Sequence, residues 1–319
     1  LFASLTFLLL ATSACQNSSS SEALPSADGA PKQVCLVATT NLVGDLVRRI
    51  APDTFDVKVL MGPGVDPHLY TPTRNDVREL LSADLVFYHG LNLEGRMARQ
   101  LAQLKESGRP LAAVTETLPR DQLRSIGTGH GEFDPHVWMS VPLWTACADH
   151  VAQVLKERFP EQAEEIASRG AALTAEFSRC DQEIREQLER IPEVRRVLVT
   201  AHDAFEYFGH DYGLQVRSVQ GVSTESEAGV KDISDLVTFL VEQKVPAVFV
   251  ESSVNRRYIE AVQSGVAARG GSVQIGDELY SDSLGPLDGP AGTYESMMRS
   301  NLKAIVRALG DDAESVPQN

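Results

Sequence analysis

Seven histidines, at positions 68, 89, 130, 136, 150, 202 and 210, are the side chains of this chain best suited to ligating a metal ion or moving a proton near neutral pH. Their settings sort them, because ligands in open α/β sheets collect at the carboxyl ends of the strands. His68 stands in Gly62-Pro-Gly-Val-Asp-Pro-His-Leu-Tyr-Thr-Pro, after a short apolar run, and His202 stands in Thr200-Ala-His-Asp-Ala-Phe, directly after another. His136 lies in Phe133-Asp-Pro-His-Val-Trp, just ahead of a helical stretch, and Asp282 lies in Leu279-Tyr-Ser-Asp-Ser-Leu-Gly, after the last apolar run. Imidazole nitrogens with one carboxylate suit a divalent transition metal. A lone histidine is more often structural than a ligand, but four donors at matching loop positions, two in each half of the chain, point to one site. Both Asp-Pro-His units put a carboxylate two residues before the imidazole with a stiffening proline between, so Asp66 and Asp134 are placed to orient the loop or the ring.

The other candidates have plainer readings. His89 follows an apolar run and reads as structural or as support behind the site. His130 reads as a solvated loop residue, His150 falls mid-helix, and His210 sits at a helix end, where histidine is common. Glu251 follows a strand-like run and fits equally a carboxylate supporting the site and a buried structural one. Beyond Cys15, three cysteines remain, an odd number without metal-site spacing. Cys35 reads as a small buried residue, while Cys147 and Cys180 fall on neighbouring predicted helices, which leaves a bridge between them open.

The elements that must position these groups alternate. Predicted strands at 34–39, 57–61, 85–88 and 111–114 are separated by helical patterns at 41–50, 73–82 and 93–106, with Thr73 as N-cap and Asp76 three residues on. The second half repeats the scheme, with strands at 197–200, 216–219, 247–250 and 273–275 and helices at 204–212, 232–243, 256–269 and 294–309. This predicts an α/β fold of two lobes, each with a roughly four-stranded parallel sheet flanked by helices. Between them, residues 161–190 place Ile166, Leu173, Phe177, Cys180, Ile184 and Leu188 at helical spacing, with Gly170 as the one weak point. That predicts one continuous, rigid linking helix. The expected organisation is therefore a segment 1–31 outside the fold, a lobe at 32–160, the linking helix at 161–191 and a second lobe at 192–319.

Residues 1–11, LFASLTFLLLA, are too short for a stable membrane span but fit the apolar core of a secretory signal that begins before Leu1. Small residues then lead to Cys15, followed by a polar stretch. This is similar to a lipoprotein processing site at which Cys15 would carry the lipid, although Thr12 stands where an aliphatic residue is usual; a plain secretory signal cleaved nearby is the alternative. Both put the chain outside the cytoplasm, with residues 16–31 as a flexible tether. The net charge of −15, from 29 basic and 44 acidic residues, argues against a nucleic-acid partner.

The segments Asp66-Pro-His-Leu-Tyr-Thr-Pro, Ala83-Asp-Leu-Val-Phe-Tyr-His-Gly-Leu-Asn-Leu-Glu-Gly, Asp134-Pro-His-Val-Trp-Met, Thr200-Ala-His-Asp-Ala-Phe-Glu-Tyr-Phe, Val250-Glu-Ser-Ser-Val-Asn and Leu279-Tyr-Ser-Asp-Ser-Leu-Gly together resemble the zinc- and manganese-type solute-binding proteins of bacterial ABC importers. The resemblance runs from about residue 33 to residue 309. It implies two α/β lobes joined by a rigid helix and one bound Zn²⁺ or Mn²⁺ ion. It implies the ligands His68, His136, His202 and Asp282, and an ABC permease with its ATPase as partners of a monomeric, membrane-tethered receptor. Members that prefer manganese often carry Glu in place of His202. Many dedicated zinc members have a long His-rich loop before the second Asp-Pro-His, where this chain has the short stretch 124–134 with His130 alone. The chain resembles an intermediate type, and its imidazole-rich donor set leans to zinc. Two-oxygen ligation by Asp282 would ease manganese binding.

Two rivals stand beside this reading. A metal-dependent hydrolase keeps one coordination position open for water, and neither an HExxH run nor a nucleophile elbow is present. A surface adhesin lipoprotein would use contact rather than metal supply as its main role.

Overall fold

The structure, a computed structural model, describes residues 33–127 and 132–310; the readings for Cys15, the tether and His130 lie outside them. Strand β1 (Cys35–Thr40) runs straight into helix α1 (Asn41–Ile50), with the Thr40 side chain accepting the Val43 N–H as N-cap. Then follow β2 (Asp56–Met61), α2 (Arg74–Ser82), β3 (Leu85–Tyr88), α3 (Ala98–Glu106) and β4 (Leu111–Ala113). The four strands form one parallel sheet in the order β2-β1-β3-β4. From β1 to β2 the chain steps one way and from β3 to β4 the other, so the carboxyl ends of β1 and β3 flank a crevice of the kind that holds ligands. Helix α2 opens on a capping box, as its sequence predicts: Thr73 Oγ1 accepts the Asp76 N–H and Asp76 returns to the Thr73 N–H. Thr73→Ala should lower unfolding free energy by about 1 kcal/mol, read as a reduced urea midpoint at unchanged slope.

The predicted helix 93–106 begins later, at Ala98, after a short 3₁₀ turn at Gly95–Met97. Gly90, Leu91 and Asn92 all have left-handed backbone, with φ of 92°, 50° and 62°, which no right-handed helix tolerates. The Glu94 carboxylate turns back to accept the Thr39 hydroxyl at 2.6 Å and the His89 N–H at 2.7 Å.

Helix α4 (Val141–Arg158) is followed by α5 (Ala163–Leu188), 26 residues long and so about 39 Å at 1.5 Å per residue. Its buried stripe is Ile166, Gly170, Leu173, Phe177, Cys180, Ile184 and Leu188, packed on α4 and α1 of the first lobe and on the last helix of the second. Gly170, weak by propensity, lets α5 pack tightly on α4: a Cβ there would stand 3.1 Å from that of Ala152. Cys35, Cys147 and Cys180 are free thiols, the last two buried.

The second lobe runs β5 (Val197–Thr200), α6 (Glu206–Tyr212), β6 (Gln215–Ser218), α7 (Val230–Gln243), β7 (Ala247–Val248), α8 (Arg257–Ala268), β8 (Gln274–Ile275) and α9 (Tyr294–Leu309). Its four strands pair in parallel as β5–β6 and β7–β8. The Phe249 N–H donates to the Val199 carbonyl at 2.8 Å, laying the end of β7 beside β5. One apolar core continues from β1 and α1 through α4 and α5 into Phe205, Phe208, Tyr294 and Met297 of the second lobe, while Val199, Val237, Val248 and Ile259 belong to a separate core of that lobe. Among the described residues no helix is long and apolar enough to cross a membrane.

Candidate metal centre

Four loops bring the site together. The loop after β2 carries His68, the turn before α4 carries His136, the end of β5 leads into His202, and the segment after β8 carries Asp282. One ligand atom from each lies within 4.8 Å of the others, and no ring or carboxylate is more than 4% exposed. His68 Nε2 is 3.3 Å from His136 Nε2, His202 Nε2 is 3.1 Å from Asp282 Oδ1, and His136 Nε2 is 3.5 Å from the same oxygen. Bonds of about 2.0–2.1 Å in a tetrahedron hold their donors about 3.3–3.4 Å apart, so this spacing fits a single ion such as Zn²⁺.

His136, His202 and Asp282 are each aimed by a partner behind them. His136 Nδ1–H donates to Asp134 Oδ1 at 2.7 Å and its backbone N–H to the same oxygen at 2.9 Å. His202 Nδ1–H donates to Glu251 Oε2 at 2.6 Å, and its backbone N–H to Oε1 at 2.9 Å. In both rings Nε2 is thereby turned inward, the carboxylate–histidine arrangement common behind metal ligands. Of the two readings of Glu251, the geometry takes the supporting one. Asp66 differs from Asp134: its Oδ1 holds only the His68 backbone N–H, at 2.9 Å, and so shapes the loop rather than the ring. Asp282 Oδ2 accepts the Ser253 hydroxyl at 2.9 Å, and Ser253 Oγ lies 2.9 Å from Ser281 Oγ.

His89 is fully buried, and its Nε2–H donates to the Pro135 carbonyl at 2.6 Å, bracing the turn immediately before His136. Burial drives its pKa down to about 3, so the ring is neutral. Trp138 supports the other side, its indole N–H donating to the Ser281 carbonyl at 2.7 Å. Sequence reading missed Ser253 and Trp138, because a serine or a tryptophan beside a motif carries no signal of its own. His150 and His210 lie on α4 and α6, apart from the four-residue cluster.

The electrostatics divide the imidazoles. Burial pushes the His68 pKa down to about 3 despite the attraction of Asp282. Burial also opposes charge on His136, but Asp134 and Asp282 outweigh it and push that pKa up to about 9. For His202, Asp282 and Glu251 overcome the same penalty and raise it well above the ordinary histidine value. Asp282 is held well below the usual carboxylate range: burial opposes its charge, and His202 and His136 more than compensate. Positive charge is favoured between these donors. Glu251→Gln, which keeps the volume but weakens the hold on His202 Nδ1–H, should cost about 10- to 100-fold in Zn²⁺ affinity, measured by competition with a chelator of known affinity.

The sequence profile of the zinc-uptake complex component A, periplasmic (ZnuA) family matches residues 36–308. The chain belongs to this family. Among its relatives, the manganese-binding lipoprotein MntA of Bacillus subtilis (strain 168) is 41% identical over 302 residues, covering 95% of this chain and 97% of MntA. The zinc-binding protein TroA of Treponema pallidum (strain Nichols) is 44% identical over 283 residues, covering 89% of this chain and 90% of TroA. The solved structure of the periplasmic zinc binding protein TroA from Treponema pallidum superposes with a TM-score of 0.84 at 43% identity, covering 87% of this chain and 99% of that one. The two-lobed α/β architecture expected from the sequence is therefore that of the family. Other relatives, 31% and 30% identical, are named metal ABC transporter substrate-binding lipoproteins: FimA of Streptococcus parasanguinis and SsaB of Streptococcus sanguinis.

Proposed function

We propose that this chain is the extracytoplasmic solute-binding component of an ABC importer, which captures one Zn²⁺ or Mn²⁺ ion with His68, His136, His202 and Asp282 and hands it to a membrane permease. The observation that carries this is the convergence of three inward-facing Nε2 atoms and one carboxylate oxygen, all within 4.8 Å of one another, in a buried seam. His68 and His136 come from the lobe at 32–160, His202 and Asp282 from the lobe at 192–319, and the helix of 161–191 sets their separation. With four protein ligands the shell has no open position for an attacking water, which favours carriage of the ion over hydrolysis. Cys15 is the residue that would tether the mature protein to the membrane, and we place the working form as a monomer.

Two relatives of nearly equal identity are named for different metals, so overall similarity does not choose between them. Three imidazoles favour zinc, since Mn²⁺ ranks lowest in affinity for such donors. The ion must displace protons from His136 and His202, so its affinity falls as pH falls, which suits a carrier that has to release its cargo. Elemental analysis of protein purified without chelator, followed by Zn²⁺/Mn²⁺ competition, tests the reading. One equivalent of metal supports it; none would sink it, and hydrolytic turnover that tracks metal loading would favour an enzyme instead.

A further inference from the structure

The seam between the lobes is tied unequally on its two sides. On the Asp282 side, Asn41 Nδ2 donates to the Leu284 carbonyl and the Leu284 N–H returns to Asn41 Oδ1, both at 3.0 Å, and the Gly64 N–H donates to Ser283 Oγ at 2.9 Å. On the His68 side, the second lobe reaches across with the segment 222–225. Thr224 is the one buried residue between positions 221 and 230, and its hydroxyl donates to Asp66 Oδ2 at 2.6 Å. The other oxygen of that carboxylate holds the His68 backbone N–H. The Thr224 hydroxyl thus ties the second lobe to the ligand-carrying loop two residues from His68, while Ser283 holds the same loop at Gly64, four residues before it. The nearby Arg96–Glu225 pair, at 3.4 Å, is about half exposed on both sides and adds little in water.

Beside this segment lies a cavity of about 420 Å³, lined by His68, Leu93 and Gly95 from the first lobe and Val222, Ser223 and Glu225 from the second. His68 is also the most exposed of the four donors, at 4% against 0% for His136, 0% for His202 and 1% for Asp282. We propose that the ion passes in and out past His68 through this cavity, and that Thr224, acting through Asp66, is the positioning residue that sets the rate of exchange. The inference rests on the metal-site reading above. Parting Thr224 from Asp66 removes the tie next to His68 and loosens the 222–225 segment there, with the Gly64–Ser283 bond still holding the start of the loop. It leaves the His202–Glu251 pair and the three bonds on the Asp282 side in place.

The test uses the full chain and three variants, each loaded with one equivalent of Zn²⁺. Release is followed by stopped flow into a fluorescent chelator and extrapolated to zero chelator. A buried hydrogen bond to a charged group is at stake, so Thr224→Val should release zinc about 10- to 100-fold faster, while Thr224→Ser, which keeps the hydroxyl, should stay within about threefold of the unmodified rate. Ser223→Trp, which fills the cavity, should slow uptake and release by similar factors and leave Kd unchanged. Thermal unfolding of the metal-free variants shows that they fold. An unmodified release rate in folded Thr224→Val would overturn the role of Thr224, and unmodified rates in Ser223→Trp would overturn the route. An unmodified chain that takes up no zinc would overturn the site itself and this route with it.

Discussion

His202→Ala should lose retention of Zn²⁺ and Mn²⁺ on desalting, with an affinity loss greater than the ~10- to 100-fold carried by partners that stand behind a ligand. His202 gives the site its link between Asp282, 3.1 Å from Nε2, and Glu251, 2.6 Å from Nδ1, so its removal takes away one donor and the brace for that donor together. It also leaves Glu251, 3% exposed, as a buried carboxylate that keeps the backbone N–H on Oε1 but loses the ring N–H on Oε2, and an unsatisfied buried charged acceptor costs about 1–3 kcal/mol or more. The metal-free variant should therefore unfold at a lower temperature. The double variant His202→Ala/Glu251→Gln, in which no charge is stranded, should recover most of that stability and none of the affinity. Metal content by elemental analysis and chelator competition reads the first effect, and calorimetry of the metal-free forms reads the second. Wild-type stoichiometry and affinity in His202→Ala would remove it from the ligand set.

Phe177→Ala should cost about 3–5 kcal/mol of stability, the range for deleting a buried aromatic ring that its surroundings cannot collapse to fill. Phe177 is fully buried on α5 and meets Tyr294 of α9 edge to face, with ring centroids 4.8 Å apart. The consequence reaches the site. The Tyr294 hydroxyl donates to the Trp138 carbonyl at 2.7 Å, and the Trp138 indole holds the Ser281 carbonyl next to Asp282. Urea unfolding with chelator present measures the stability loss free of the stabilisation that bound metal adds. Phe177→Leu, which keeps most of the volume, should lose less than half as much; equal losses would show that shape at this contact does not matter.

How far the sequence could be read depended on how local each signal is. Helices 41–50 and 294–309 and strands 85–88 and 197–200 have the boundaries their patterns predict, because each is bracketed by its own turn or capping chemistry. Helix α3 begins five residues later than its apolar pattern begins, because Glu94, committed to Thr39 and His89, has a ψ of 51°, outside the helical range, which is a tertiary demand. The strands of the second lobe shorten to two residues at β7 and β8, where loops leading to Glu251 and Asp282 take over the chain. The Asp-Pro-His units were legible because donor, proline and orienting carboxylate sit within three residues. Even so, spacing alone could not tell that Asp134 grips the ring of His136 while Asp66 holds only the backbone of His68.

By itself the sequence determined the alternation of strand and helix, the long helix between the lobes and the loops on which the candidate donors His68, His136, His202 and Asp282 stand. All of these follow from periodicity and from turn chemistry over a few residues. Only the tertiary structure decided which groups stand behind the donors: Glu251 behind His202, Ser253 on Asp282, His89 bracing Pro135, and Thr224 tied to Asp66 across 158 positions. A hydroxyl or a carboxylate becomes a partner only when folding removes water and sets it within about 3 Å of another polar atom, and no local pattern in the chain records that meeting.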